Sequence, residues 1–214
     1  MISIVSFDLD GTIMQQEFAD SVWLRGLPKL YAQQKEIDFK TAQSLLMQSY
    51  DTIGSDRVEW YDLRYWIDQL GLSITPNDLL NLYKETIKPF PDAKKVIQRL
   101  SRQYTLIICS GAMKEFIHIQ LSSTGLSKYF SHFFSSTSDT NMVKKDPLFY
   151  KGIASKLKVE PSSIVHVGDN EIYDYRSPVK AGFNAFFLTR DINQTGSHIV
   201  HSLSEFEQKI DNIQ

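Results

Sequence analysis

Apolar and polar positions follow two different rhythms along this chain, and the change of rhythm divides it. From Ile2 to Phe7 a β-prone run stops at Asp8-Leu9-Asp10-Gly11-Thr12, which predicts a buried strand entering a turn. From about Gln15 to Lys88 strand character disappears. Apolar positions such as Leu63, Trp66, Ile67 and Leu70 recur there at helical spacing, with stops at Gly54, Gly71 and Thr75-Pro76. Roughly four helices are expected in this stretch. Beyond Pro89-Phe90-Pro91 the two rhythms alternate. They predict helix 93–100, strand 104–109, helix 114–123, strand 132–135, helix 148–157, strand 164–167, helix 173–181 and strand 184–188.

Short strands alternating with helices imply right-handed crossovers and an α/β fold: a doubly wound, mostly parallel, Rossmann-like sheet. The expected division is a core of residues 1–14 and 89–214, with 15–88 as an inserted α-helical cap. In such sheets ligands bind beyond the carboxyl ends of the strands. Three predicted strand ends carry polar clusters: Asp8 with Asp10, Ser110-Gly111, and Gly168-Asp169-Asn170 followed by Asp174. Carboxylates converging on one sheet edge need a cation, and hard oxygen ligands favour Mg²⁺.

Composition narrows the functional classes. With 214 residues, 42% hydrophobic and 22% charged, the chain has an ordinary globular make-up. About 70% of the unfolded surface can be buried at this size, so a full core forms without staples. A net charge of -2, with Lys and Arg gathered only in pairs such as Lys94-Lys95 and Lys144-Lys145, argues against nucleic acid as a partner. The single cysteine, Cys109, fits a reducing compartment. Residues 1–9 lack the basic region of a signal peptide, and no apolar run reaches membrane-spanning length. A soluble, cytoplasmic protein is expected, as a monomer or homodimer.

The motif Asp8-x-Asp10-Gly11-Thr12 at one strand end and Gly168-Asp169-x4-Asp174 at another resemble the haloacid dehalogenase superfamily, in particular its phosphatases with a helical cap after the first strand. Ser110, closing the run Leu106–Cys109, is similar to the second family motif. The stretch Lys144-Lys145-Asp146-Pro147 is similar to the third, with Lys145 where proline is usual, and the spacing from Asp146-Pro147 favours Lys144 as the site lysine. The resemblance implies a Mg²⁺-dependent phosphatase for a small phosphorylated metabolite. It implies Asp8 as nucleophile, Asp10 as general acid and base, and Lys144 balancing the phosphate charge. Mg²⁺ would be held by Asp8, the Asp10 carbonyl and Asp169, with Asn170 and Asp174 behind them. Thr12, Ser110, Gly11 and the amides of Leu9, Asp10 and Gly111 would surround the phosphoryl group. A phosphomutase, or an idle sensor using the same pocket, is the alternative.

Other residues read as structural. A thiol phosphatase needs an arginine six residues beyond its cysteine, where Cys109 has Glu115. His166 reads as a core residue, and His118, His132, His198 and His201 form no metal spacing. The set Trp23, Trp60, Tyr61, Tyr65 and Trp66 is expected to pack cap helices together, and 135–141 to form a surface loop.

Overall fold

A computed structural model describes residues 1–211 and 213. In chain order, β1 (Ile4–Phe7) is followed by α1 (Glu17–Ser21), a wide π-turn Val22–Gly26, α2 (Leu27–Lys35), α3 (Phe39–Ile53), a 3₁₀ turn Val58–Tyr61, α4 (Leu63–Leu70) and α5 (Pro76–Leu82). Then come α6 (Ala93–Leu100), β2 (Thr105–Ser110), α7 (Lys114–Ser123), β3 (Phe130–Ser135), α8 (Ser136–Thr140) and α9 (Pro147–Leu157). The chain continues with β4 (Ile164–Gly168), a π-turn Glu171–Arg176, α10 (Ser177–Ala181), β5 (Asn184–Leu188), β6 (Ile199–Val200) and α11 (Leu203–Ile210). The six strands form one sheet in the order β3-β2-β1-β4-β5-β6, with every pairing parallel. This is the doubly wound fold that the alternating pattern implies.

Helices cover both faces of the sheet, as parallel strands require. Val5 and Phe7 point to the face packed by α6, α7 and α11, where Ile97, Ile117, Leu121 and Phe206 are fully buried. Ile4 points to the other face, against Tyr150 and Ile153 of α9 and Phe183. Polar groups accompany it there: Ser6, Cys109 and His166 are buried on strands β1, β2 and β4. The helices between β1 and β2 have a core of their own, built on Phe18, Val22, Leu46, Trp66 and Leu79, and Phe116 of α7 packs into it. Their stretch begins and ends beside the sheet: Gln15 N donates to Lys88 O at 2.9 Å and Phe90 N to Ile13 O at 2.9 Å.

Three elements differ from expectation. The last strand β6 and helix α11 follow strand 184–188 without having been expected, although Leu203, Phe206 and Ile210 are buried on one helical face. The run 135–141, expected as a surface loop, contains α8 and buries Ser135, Ser136 and Thr137. No helix among the described residues is long and apolar enough to cross a membrane.

Candidate active site

The turn after β1 is shaped by one residue, Leu9, whose side chain is buried in the core and whose carbonyl accepts from the amides of Ile13 and Met14 at 2.9 Å. Gly11 makes the turn possible. Its φ of +79° suits glycine, and a Cβ there would lie 1.9 Å from Asp169 Oδ2. The first turn is thereby pressed against the loop after β4. Gly168 serves the same end, since a Cβ on it would lie 2.4 Å from Asp174 Cγ.

The parallel register brings Asp8, Asp169 and Asp174 together, with carboxylate oxygens within 4.8 Å of one another. Between them lies the ammonium of Lys145, 2.5 Å from Asp8 Oδ1 and also bonded to Asp174 Oδ1. It additionally donates to Cys109 O at 3.3 Å. Here the structure corrects the expectation for Lys144. Asp146 N donates to Lys144 O at 2.9 Å, a tight turn centred on Lys145 that aims Lys145 inward and leaves Lys144 exposed. Asp146 is itself committed to capping α9 through the amides of Leu148 and Phe149. Burial would lower the ammonium's pKa, but Asp174 and Asp8 outweigh it and hold the group charged.

Asp174 sits on the π-turn, with Oδ2 accepting from Asn170 N at 3.1 Å and Oδ1 facing His166 Nε2 at 3.0 Å. Burial opposes its ionisation, but Lys145 and His166 bring the carboxyl down to about 2. Asn170 uses its own side chain to cap that turn, accepting from the amides of Ile172 and Tyr173 at 3.0 Å. Burial pushes His166 down, so the imidazole is neutral, and its one proton belongs on Nε2, where Asp174 needs a donor. Nδ1 is then an acceptor for the Ser6 hydroxyl at 2.7 Å, which also sits 3.0 Å from the Cys109 sulfur. His166, expected to be core, is thus buried in a polar line that ends on Lys145. Burial pushes the Cys109 thiol up to about 12, which keeps it protonated and unreactive.

Burial, with Asp174 and Asp169, also pushes the Asp8 carboxyl up, against the pull of Lys145. Loss of water around Asp169, together with Asp174, raises its carboxyl to about 6, although its surface still meets solvent. With all three carboxyls ionised, the one ammonium would leave two negative charges without a counter-charge. The all-oxygen donor set and this deficit fit a divalent cation of the Mg²⁺ kind.

Asp10 stands apart from this cluster. Its Oδ1 accepts from Gln120 Nε2 of α7 at 3.0 Å, and burial pushes its carboxyl up to about 6 against that bond. Thr12 Oγ1 donates to Asp8 Oδ2 at 3.4 Å. At the end of β2, Ser110 Oγ accepts from Ala112 N at 3.1 Å. The loop beyond it is braced from β3 and α8: Ser135 Oγ donates to Ala112 O at 2.7 Å and Thr137 Oγ1 to Gly111 O at 2.9 Å. The serine- and threonine-rich run therefore supports the site from behind.

These groups open into a chamber of about 410 Å³ between the sheet edge and the inserted helices. Its far wall carries Trp23, Trp60, Tyr61 and Phe116, with Trp23 parallel to Phe116 at 5.9 Å between ring centres. Tyr65 and Trp66 instead pack within the inserted helices, so the expected aromatic set divides in two. The charged residues lining the chamber are Asp8, Asp10 and Asp20. Lys144 and Lys145 border an adjoining cavity, on the side where Asp169 and Tyr173 lie. Gln120, Ser6 and Tyr150, whose hydroxyl lies 3.3 Å from His166 Nε2 and 3.4 Å from Asp174 Oδ1, escaped the sequence reading. The only signal was a polar residue at an apolar position of a helix or strand.

A family model for haloacid dehalogenase-like hydrolases matches residues 2–182, and the chain belongs to that family. The GMP/IMP nucleotidase YrfG of Escherichia coli strain K12 is 23% identical over 174 residues, covering 79% of this chain and 75% of its own length. Among solved structures, a HAD phosphatase from Thermococcus onnurineus is similar with a TM-score of 0.82 at 23% identity, over 98% of both chains. The HAD-hydrolase YfnB of Bacillus subtilis, described as bound to magnesium, is similar with a TM-score of 0.67 at 17% identity, over 98% of this chain and 99% of its own. At such identities the structural likeness speaks for the fold.

Proposed function

We propose that this hydrolase cleaves small phosphate monoesters, with Asp8 as nucleophile and Asp10 as proton donor and acceptor. The observation that carries the reading is the Asp8 carboxylate, buried at the sheet edge with Lys145 on Oδ1, and opening into the same chamber as a second carboxylate that Lys145 does not hold. Lys145 and Thr12 fix the Asp8 carboxylate so that an oxygen can attack phosphorus. The ester bond to the alcohol breaks, and the departing oxygen takes a proton from Asp10, whose carboxyl near 6 is placed to give one. Asp10 then removes a proton from water, which attacks phosphorus and breaks the bond to Asp8, releasing phosphate and restoring both carboxyl groups. The Ser110 hydroxyl, whose oxygen already accepts from Ala112 N, is left to donate its proton to a phosphoryl oxygen, together with the amides of Leu9, Asp10 and Gly111.

Asp8, Asp169 and the Asp10 carbonyl would hold Mg²⁺, with Asp174 spent on Lys145 and His166. Bound there, the ion supplies the positive charge that the three carboxylates lack and lets a phosphate dianion approach. Residues 15–88 are read as a cap whose two adjacent connections make a hinge, and closure would exclude water from the chamber. The chamber's rings and carboxylates, with no lysine or arginine among them, support an alcohol portion that bears no negative charge. A nucleoside meets that requirement, and the nucleotidase relative supports it as the first class to assay. The decisive test is Asp8→Asn. It should reduce phosphate release by at least about 10⁴-fold and remove any phosphate-labelled Asp8 peptide after substrate is added. Turnover near that of the unaltered protein would assign the nucleophile elsewhere.

A further inference from the structure

Gln120 is fully buried on α7, a helix fixed to the sheet by Ile117 and Leu121. It shares a helical face with Met113 and Phe116, which line the chamber, so it stands one turn deeper behind the same wall. Its Nε2 donates to Asp10 Oδ1 at 3.0 Å, across 110 residues of sequence. Its Oε1 is buried with no hydrogen-bond partner among the described residues. An unsatisfied buried carbonyl lowers stability, and an apolar side chain of the same length would avoid that cost. Fold stability therefore gives little reason for glutamine here, whereas the bond to Asp10 gives a direct one.

We infer that Gln120 is a positioning residue: its amide holds the Asp10 carboxyl aimed at the departing oxygen of the ester. This rests on the phosphatase reading above. Asp10 would otherwise swing on two side-chain torsions, and small misplacements of a reacting group cost large factors in rate. The consequence depends on the alcohol. An alkoxide must be protonated as it leaves, whereas a nitrophenolate leaves without help, so only the first needs Asp10 in place during formation of the phosphoenzyme.

The experiment compares kcat/KM, which covers the steps through loss of the alcohol, for an alkyl phosphate and for p-nitrophenyl phosphate in Gln120→Met and Gln120→Leu. The ratio of the two values should fall at least about tenfold in both variants. That ratio does not depend on how much folded protein a variant yields. In an Asp10→Asn background, Gln120→Met should cause no further fall, because both changes remove one function. Tm should stay level or rise as the orphaned carbonyl disappears. Equal losses on both substrates, or a further fall in the Asp10→Asn background, would overturn the inference and leave Gln120 a packing residue. No phosphate release by the unaltered protein from either ester, with Mg²⁺ present, would instead defeat the phosphatase reading itself.

Discussion

The sheet edge and the aromatic wall face each other across one chamber and are held in opposite ways. At the edge, charged groups are pinned by partners far away in the chain: Lys145 reaches Asp8 across 137 residues, and Gln120 reaches Asp10 across 110. On the wall, the rings of Trp23, Trp60 and Phe116 are placed by packing on one another, and the hydrogen bonds at Trp60 are made by its backbone, the carbonyl accepting from Trp66 Nε1 and the amide donating to Arg57 O. A buried charge that loses its partner is expensive, whereas apolar packing tolerates exchange of shapes at similar volume. Under the proposed function, the difference would assign brittleness to the chemistry and adjustability to the choice of substrate.

The largest effect expected from this contrast lies at the two adjacent lysines. Lys145→Ala should strand Asp8 and Asp174 without their shared cation, lower stability by about 3 kcal/mol and abolish turnover. Lys144→Ala should change stability by less than about 0.5 kcal/mol. Chemical denaturation of the two variants decides the matter, and equal losses would show that the two lysines are held alike. On the wall, Asp20→Lys should leave the fold intact. It should raise kcat/KM for an ester with an anionic alcohol portion, such as phosphoglycolate, relative to a nucleoside monophosphate by about tenfold. An unchanged ranking would show that the wall does not choose the substrate.

The smallest effect is a dependence on pH. The Asp169 carboxyl, near 6 in the fold, favours its protonated form relative to an unfolded value of about 3.9. Its contribution to stability is therefore present below about pH 4 and lost as the pH rises through 6. Mg²⁺ needs the ionised form, competes with protons at pH 5 and relieves repulsion at pH 7.5. Added Mg²⁺ should thus raise Tm by a few degrees more at pH 7.5 than at pH 5. The same rise at both values would remove the acidic cluster from the account.

Much of this was legible in the sequence, because strand ends announce themselves. Asp8 and Asp10 break a β-prone run, Gly168-Asp169 breaks another, and the parallel register does the rest. What stayed hidden depended on direction or distance. Which of two neighbouring lysines faces inward is decided by one hydrogen bond, from Asp146 N to Lys144 O, that spacing does not reveal. Gln120 acquires its meaning only when α7 is laid beside the first turn. Strand β6 holds two residues, Ile199 and Val200, too few for any periodicity to register.

The paired bonds between 13–15 and 88–90 bear on how the chain finds its fold. Strand β1 must meet β2 about a hundred residues away, with Ile4 beside Thr105, and such distant pairings are slow because a long loop has to close first. The helices of the intervening stretch possess a core of their own, and their ends meet at Gln15 and Lys88. Once that stretch has collapsed, the loop left to close is several-fold shorter, which lowers its entropic cost by about 1 kcal/mol. The same insertion that walls the chamber is thereby a kinetic aid to the sheet, bringing its central strand within reach of the neighbour it needs.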